Sequence, residues 1–427
     1  MEINAVLALL IFGTVYLLMV LDLADRAVLV IAGSLLMVGL GIISEEEAIR
    51  SIEWNAIGLI FGMFILVGAL AESGFFRWVG LHFLQLTKFD SLKIFVVFCA
   101  LSAFLAAFMD SITVMVFMTS LTIEVASILK IPPLPMIIAQ ICSANIGGSA
   151  TIMGDPPNVI LGTALNFGFM DFVEHTGVIA VIVFFFNLFL FMILYRHNFR
   201  KGHINIKEII EQHKDLDPFS AVKDLRQMRI ALVIFAFTVT LLVLHNLLDL
   251  LVAFVAVLGG ALVLLLGRRR YDDLIQKIDW HTIVFLAGLF VMVGGLESAG
   301  VLTGFAHVIA AVSGSDPIIL PTLLFWFIAL ISSVLDNIPV AAAMVPVLKT
   351  LSVDTGASLG SLTFTTALAC DIAGNATPIG ASANVVALAV AEKNGIHWSW
   401  KAYCKIAIPI LIAVLALTNI LILVLLW

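Results

Sequence analysis

Amides, hydroxyls and carboxylates recur at one spacing inside otherwise apolar stretches of this chain. Asn145, Ser149, Thr151, Asp155 and Asn158 lie in NIGGSATIMGDPPNV; Asp371, Asn375, Thr377, Ser382 and Asn384 lie in DIAGNATPIGASANV. Aligned without gaps at an offset of 226 residues (371 − 145), seven of the fifteen positions are identical. Asp110, Ser111 and Thr113 in FMDSITV meet Asp336 and Asn337 in VLDNIPV at the same offset, and Trp54 meets Trp280. Gly147, Gly148, Gly154, Pro156 and Pro157 make residues 145–158 hard to keep helical; Gly374, Pro378 and Gly380 do the same near 371–384. A broken helix exposes backbone NH groups at one half-helix start and carbonyls at another half-helix end. The first attract an anion or oxygen-rich solute, the second a cation, and the hydroxyls and amides add neutral ligands.

The carboxylates carry the second kind of chemistry. An ionisable residue within a membrane span is a functional candidate by default. Asp110 and Asp336 could carry a proton, ligate a cation or cap a helix start, and Asp-Ser-Ile-Thr and Asp-Asn-Ile-Pro are good N-cap sequences. Asp155 aligns with Ala381, and Asn145 aligns with Asp371, so each half holds one extra carboxylate at a non-equivalent place. A carboxylate taken out of water is costly to keep ionised. That makes Asp155 and Asp371 candidate proton carriers, with structural capping as the other reading.

The elements that must position these residues are membrane helices. Hydrophobic residues make up 62% of the 427, charged residues 12%, and the mean hydropathy is +1.15, which excludes an ordinary soluble enzyme. The pattern predicts helices near 5–21, 26–43 and 54–73, a hairpin near 92–129, a broken helix near 134–166 and a helix near 174–196. The second half repeats it: helices near 230–247, 250–267 and 281–300, a hairpin near 318–349, a broken helix near 359–391 and a helix near 404–426. Residues 5–21 lack a basic leader and a cleavage site and read as a first span rather than a signal peptide. The expected fold is an all-α polytopic membrane protein of two five-helix halves, 1–196 and 229–427, joined by a polar linker, 197–228. Five spans are an odd number, so the second copy enters from the opposite side and the repeat is inverted. Each half adds one hairpin, and charge alone cannot tell a re-entrant hairpin from two full crossings.

Charge supports that topology. Of 22 Lys and Arg, only Arg50 and Lys349 fall on the side opposite the linker. The positive-inside rule then puts the linker in the cytoplasm and both termini outside an inner membrane. The net charge of −7 and the absence of a basic domain give no sign of nucleic-acid binding. Cys99, Cys142, Cys370 and Cys404 stand singly, with no zinc or disulfide spacing. No cofactor motif is present. No P-loop is present either, so any ATP use would come from a soluble ATPase partner bound at the linker. Glu124 could face the cytoplasmic mouth, Glu72 and Glu297 read as snorkelling, Trp54 and Trp280 as interfacial anchors, and Glu45–Glu47 as a solvated loop.

The tip motifs MDS and LDN, paired with NIGG-x-AT-x-x-GDPPN, resemble the ion transporter superfamily, within it the arsenite permease and melanosomal P-protein branch. The resemblance covers essentially the whole chain. It implies an inverted-repeat fold with two re-entrant hairpins, an elevator-like transport domain and a scaffold that often dimerises. It implies that Asp110, Ser111 and Thr113 form one tip and residues 145–158 its partner break. Asp336 and Asn337 would form the other tip, with residues 371–384 as its partner, and the tips would be the places for Na⁺. Many relatives have a more Asn-rich first tip, so MDS here weighs toward protons. The expectation is therefore a secondary transporter, not an enzyme, that exports arsenite or antimonite against protons. A sodium/proton antiporter, a Na⁺-coupled carboxylate importer and a passive channel are the alternatives.

Overall fold

The computed structural model describes residues 2–21, 23–199, 218–267, 278–314 and 316–427, and these are helical with no strand among them. Nine of their helices are long and apolar enough to cross a membrane. Most of the expected linker, together with Arg268 to Arg270 and Lys277, lies outside the described residues.

The repeat is visible in where helices begin. Helix starts at Arg26, Trp54, Ser111, Pro133 and Pro156 recur at Val252, Trp280, Asn337, Leu359 and Ser382, each 226 residues on. Helix ends recur too: Gly74 and Gly300 are left-handed (φ 88° and 77°), as are Lys130 and Gly356 (φ 52° and 71°). The packing is reciprocal. The Arg26–Gly39 helix packs on Trp280–Ser298, and Val252–Leu266 packs on Trp54–Ser73; Ser111–Leu129 packs on Ser382–Lys393, and Pro156–Leu165 on Asn337–Thr355. Exchanged partners of this kind define a two-fold relation between the halves. Such a relation is the one an inverted repeat gives when each half crosses the membrane an odd number of times. Small residues let the crossings close: a Cβ on Gly62 would lie 2.3 Å from the Ala256 backbone.

Several expectations are corrected. The helices foreseen at 26–43 and 250–267 are shorter, Arg26–Gly39 and Val252–Leu266. Gly41 turns left-handed (φ 70°) after the first, and a left-handed Asp249 (φ 52°) precedes the second. Glu45 to Glu47 are not a loop. They open the Glu45–Ser51 helix, because Ser44 and Glu47 form a reciprocal capping box. Two helices that the sequence reading left unassigned, Phe75–Leu86 and Val301–Ser313, are themselves repeat equivalents. Glu124 does not face an open mouth alone: it pairs with Arg77 at 2.8 Å.

Both hairpins turn at an aspartate. The Ser91–Phe108 helix ends, Met109 is extended, and Asp110 caps Ser111–Leu129 by accepting from Thr113 N and Oγ1, both at 3.0 Å. Asp336 caps Asn337–Thr355 by accepting from Ile338 N at 3.2 Å. Such caps contribute about 1 kcal/mol each.

Candidate functional site

Each break is folded by the same three contacts. Thr151 donates to the Ala107 carbonyl at the end of the first hairpin's leading arm; Thr377 donates to the Ser333 carbonyl at 2.7 Å. Asn158 Nδ2 donates to the Gly148 and Thr151 carbonyls, both at 3.0 Å, and so closes the loop across its neck. Asn384 Nδ2 does likewise to Gly374 (2.8 Å) and Thr377 (2.9 Å). Backbone that leaves a helix inside a membrane must be satisfied by protein, and these side chains satisfy it.

The breaks are narrower than the sequence suggests. The Pro133–Gly148 helix runs on through Asn145 and both glycines, and Leu359–Ala373 runs through Asp371. Gly147 is there for packing: a Cβ would lie 2.1 Å from the Ala103 carbonyl oxygen. Ser149 is buried and donates its hydroxyl proton to the Ile146 carbonyl, which leaves its oxygen as an acceptor. Asp155 stands at the N-cap position of the Pro156–Leu165 helix, but its side chain makes no capping hydrogen bond.

The two tips and two breaks converge on one cluster. Ser111 Oγ, from the first tip, donates to Asp155 Oδ1 at 2.6 Å. Asn337 Nδ2, from the second tip, reaches Asp155 Oδ2 at 3.1 Å and Asp371 Oδ1 at 3.4 Å. Both tips end on the same buried carboxylate, the arrangement expected of re-entrant hairpins. Asn145 Nδ2 donates to Asn375 Oδ1 (2.8 Å) and Asn384 Oδ1 (3.0 Å), tying the first break to the second. Asp155, Asp371, Asn145, Asn158, Asn375, Asn384, Ser111 and Asn337 are all buried. Asn145 Oδ1, Asn158 Oδ1 and Asp371 Oδ2 accept from no protein donor. Two carboxylates facing one amide repel when both are ionised, and one proton between them removes that cost. Among the described residues no group of three or more His, Cys, Asp or Glu could hold a metal ion.

One residue escaped the sequence reading. Arg26 Nη1 lies 3.0 Å from Asp336 Oδ2, which also accepts from Ser382 Oγ at 2.8 Å. The residues are 310 positions apart, so local context showed Asp336 without a cation. The repeat held a signal: Arg26 aligns with Val252, a charge where the other half is apolar.

An inverted repeat whose hairpin tips and helix breaks enclose one buried polar cluster is the architecture of a secondary membrane transporter. The chain belongs to the citrate transporter family (CitMHS), which matches residues 16–369. It is 28% identical over 422 residues to a 46 kDa membrane protein of Mycobacterium leprae, covering 97% of each chain. An uncharacterized transporter of Mycobacterium tuberculosis is 29% identical over 398 residues, covering 92% of this chain and 91% of its own. Human P protein is 27% identical over 495 residues, 96% of this chain and 59% of that protein. The fold is similar to that of the Alcanivorax borkumensis YdaH transporter, with a TM-score of 0.62 at 13% identity, over 94% of this chain and 98% of that one.

Proposed function

We propose that this transporter exports arsenite or antimonite, as the neutral hydroxide, in exchange for protons. The observation that carries the reading is the buried Asp155–Asn337–Asp371 bridge set among amides and hydroxyls, with no Lys or Arg within it. A neutral polyhydroxyl solute is matched by Asn and Ser ligands. A multiply charged anion would face two carboxylates, and Arg26 is already neutralised by Asp336. The carboxylate pair supplies the exchangeable proton. The reading includes alternating access by elevator-like movement of tips and breaks against a scaffold, as a homodimer. It also places the chain in the inner membrane with termini outside. The linker 197–228 is cytoplasmic, divides repeats 1–196 and 229–427, and offers the place for a soluble ATPase.

Arg26 favours a second reading. An arginine facing a hairpin tip suits a carboxylate solute, in keeping with the family's citrate label. Arsenite uptake into everted vesicles with an acid-inside gradient separates the two. Uptake that collapses with an uncoupler and ignores sodium supports the first; sodium-dependent citrate uptake without arsenite uptake replaces it. Sodium that dissipates the pH gradient by itself marks a sodium/proton antiporter with Na⁺ at the tips.

A further inference from the structure

The two repeats build the same cavity twice and leave it in two states. Around Asp110 the wall includes Leu59, Pro156 and Val159, and the space is about 20 Å³. The residues 226 positions on, Phe285, Ser382 and Val385, wall a cleft of about 630 Å³ around Asp336. An adjoining space of about 150 Å³ shares Arg26, Asp336 and Val385 with it. The cleft reaches the surface past Leu23 and His281, both well exposed. One access route is therefore open and its repeat equivalent is shut.

The mouth on the open side is held by charged side chains. Arg26 pairs with Asp336, Ser382 shares that carboxylate, and His281 Nδ1 lies 3.3 Å from Asp25. Their counterparts are Val252, Pro156, Asn55 and Leu251. Val252 does not line the shut cavity around Asp110, whereas Arg26 lines the open one. By the repeat symmetry, closing the Asp336 side draws Arg26 away from the tip.

We propose that the Arg26–Asp336 ion pair is a state-selective latch, which holds the second tip against the start of the Arg26–Gly39 helix and biases the transporter toward the state open at Asp336. The inference rests on the alternating-access part of the proposed function and on no particular solute. Arg26 acts as a positioning residue: it sets which side is open, through Asp336. The opposite state has no such pair, since Val252 cannot form one, so the bias is built into the asymmetry of the repeat.

The test uses the full chain in sealed vesicles of both orientations. Val385→Cys and Val159→Cys, the equivalent wall positions, are labelled with a membrane-impermeant maleimide, with the parent and its native cysteines as baseline. In the parent background Val385→Cys reacts faster. Arg26→Gln lowers the ratio of the two rates by about three- to fivefold, the size set by loss of a part-buried ion pair. Arg26→Lys, which retains the charge, keeps the parent ratio, which a merely structural role would not do. Unequal parent rates that Arg26→Gln leaves unchanged overturn the latch alone. Equal parent rates show no bias toward the state open at Asp336 and overturn the latch; a Val159→Cys that stays unlabelled in every variant overturns alternating access itself, and the latch with it.

Discussion

Asn145 donates its side-chain amide to Asn384 at 3.0 Å, joining the two repeats through residues 239 positions apart in the chain. The same amide serves Asn375, so one NH₂ group satisfies two buried carbonyls from the other repeat. Replacing Asn145 with Leu orphans both acceptors in a buried site, which costs about 1–3 kcal/mol for each. The expected outcome is a transporter with lowered thermal stability in detergent and a loss of flux greater than the loss of folded protein. Wild-type melting and flux in Asn145→Leu would remove the cross-repeat tie from the account.

Asp155 and Asp371 share the Asn337 amide but have different companions: Asp155 also receives Ser111, while Asp371 Oδ2 has no protein donor. Asp155→Asn and Asp371→Asn should each lower gradient-driven flux at least about tenfold, the order of about 1.4 kcal/mol in the transport barrier. Each should also flatten its pH dependence while the protein still assembles. Normal flux with the usual pH profile in both variants would show that protons travel elsewhere.

Glycines at crossings and glycines facing open space should separate cleanly. Gly147→Ala places a methyl 2.1 Å from the Ala103 carbonyl oxygen and Gly62→Ala one 2.3 Å from Ala256 backbone, so the helices must move apart. Such overpacking costs about 1–3 kcal/mol. Gly68→Ala, in the same helix as Gly62 with nothing within 4 Å, should be neutral or slightly stabilising. Thermal melts of the three variants decide it, and a Gly62→Ala protein as stable as Gly68→Ala would contradict the packing described.

The Glu45–Ser51 helix should carry its own pH dependence. The Ser44 backbone NH and hydroxyl hold the Glu47 carboxyl below its ordinary value of 4.5. A lowered carboxyl stabilises above its unfolded value and loses that contribution as pH falls through the folded one. Hydrogen exchange at the Ser44 amide should therefore quicken as pH drops below 4.5, after correction for intrinsic rates, and Glu47→Gln should lack the transition. An amide whose protection ignores pH in the parent would contradict the capping box.

Much of the architecture was legible in the residues because it follows from local rules. Apolar length marks spans, Gly and Pro mark breaks, and Asp before Ser-Ile-Thr or Asn-Ile-Pro marks a capped helix start. A constant offset shows that these rules were applied twice, and an odd number of spans per copy then forces inversion. Phe75–Leu86 and Val301–Ser313 escape the span pattern because each, at 12 and 13 residues, is too short to cross a membrane. The breaks were drawn too wide because glycine loosens a helix and lets helices approach closely, and composition does not say which. At Gly147 the Ala103 carbonyl decides.

The sequence by itself determined that this is a two-fold repeated, membrane-spanning chain with polar breaks and carboxylates at hairpin tips. Only the tertiary structure decided that Asp155, Asp371, Ser111 and Asn337 form one cluster, that Arg26 reaches Asp336 across 310 residues, and that one of two equivalent cavities is open. The physical reason is reach. Helix starts and breaks depend on a few neighbouring residues, whereas a hydrogen bond between two helices depends on how every crossing in the bundle packs.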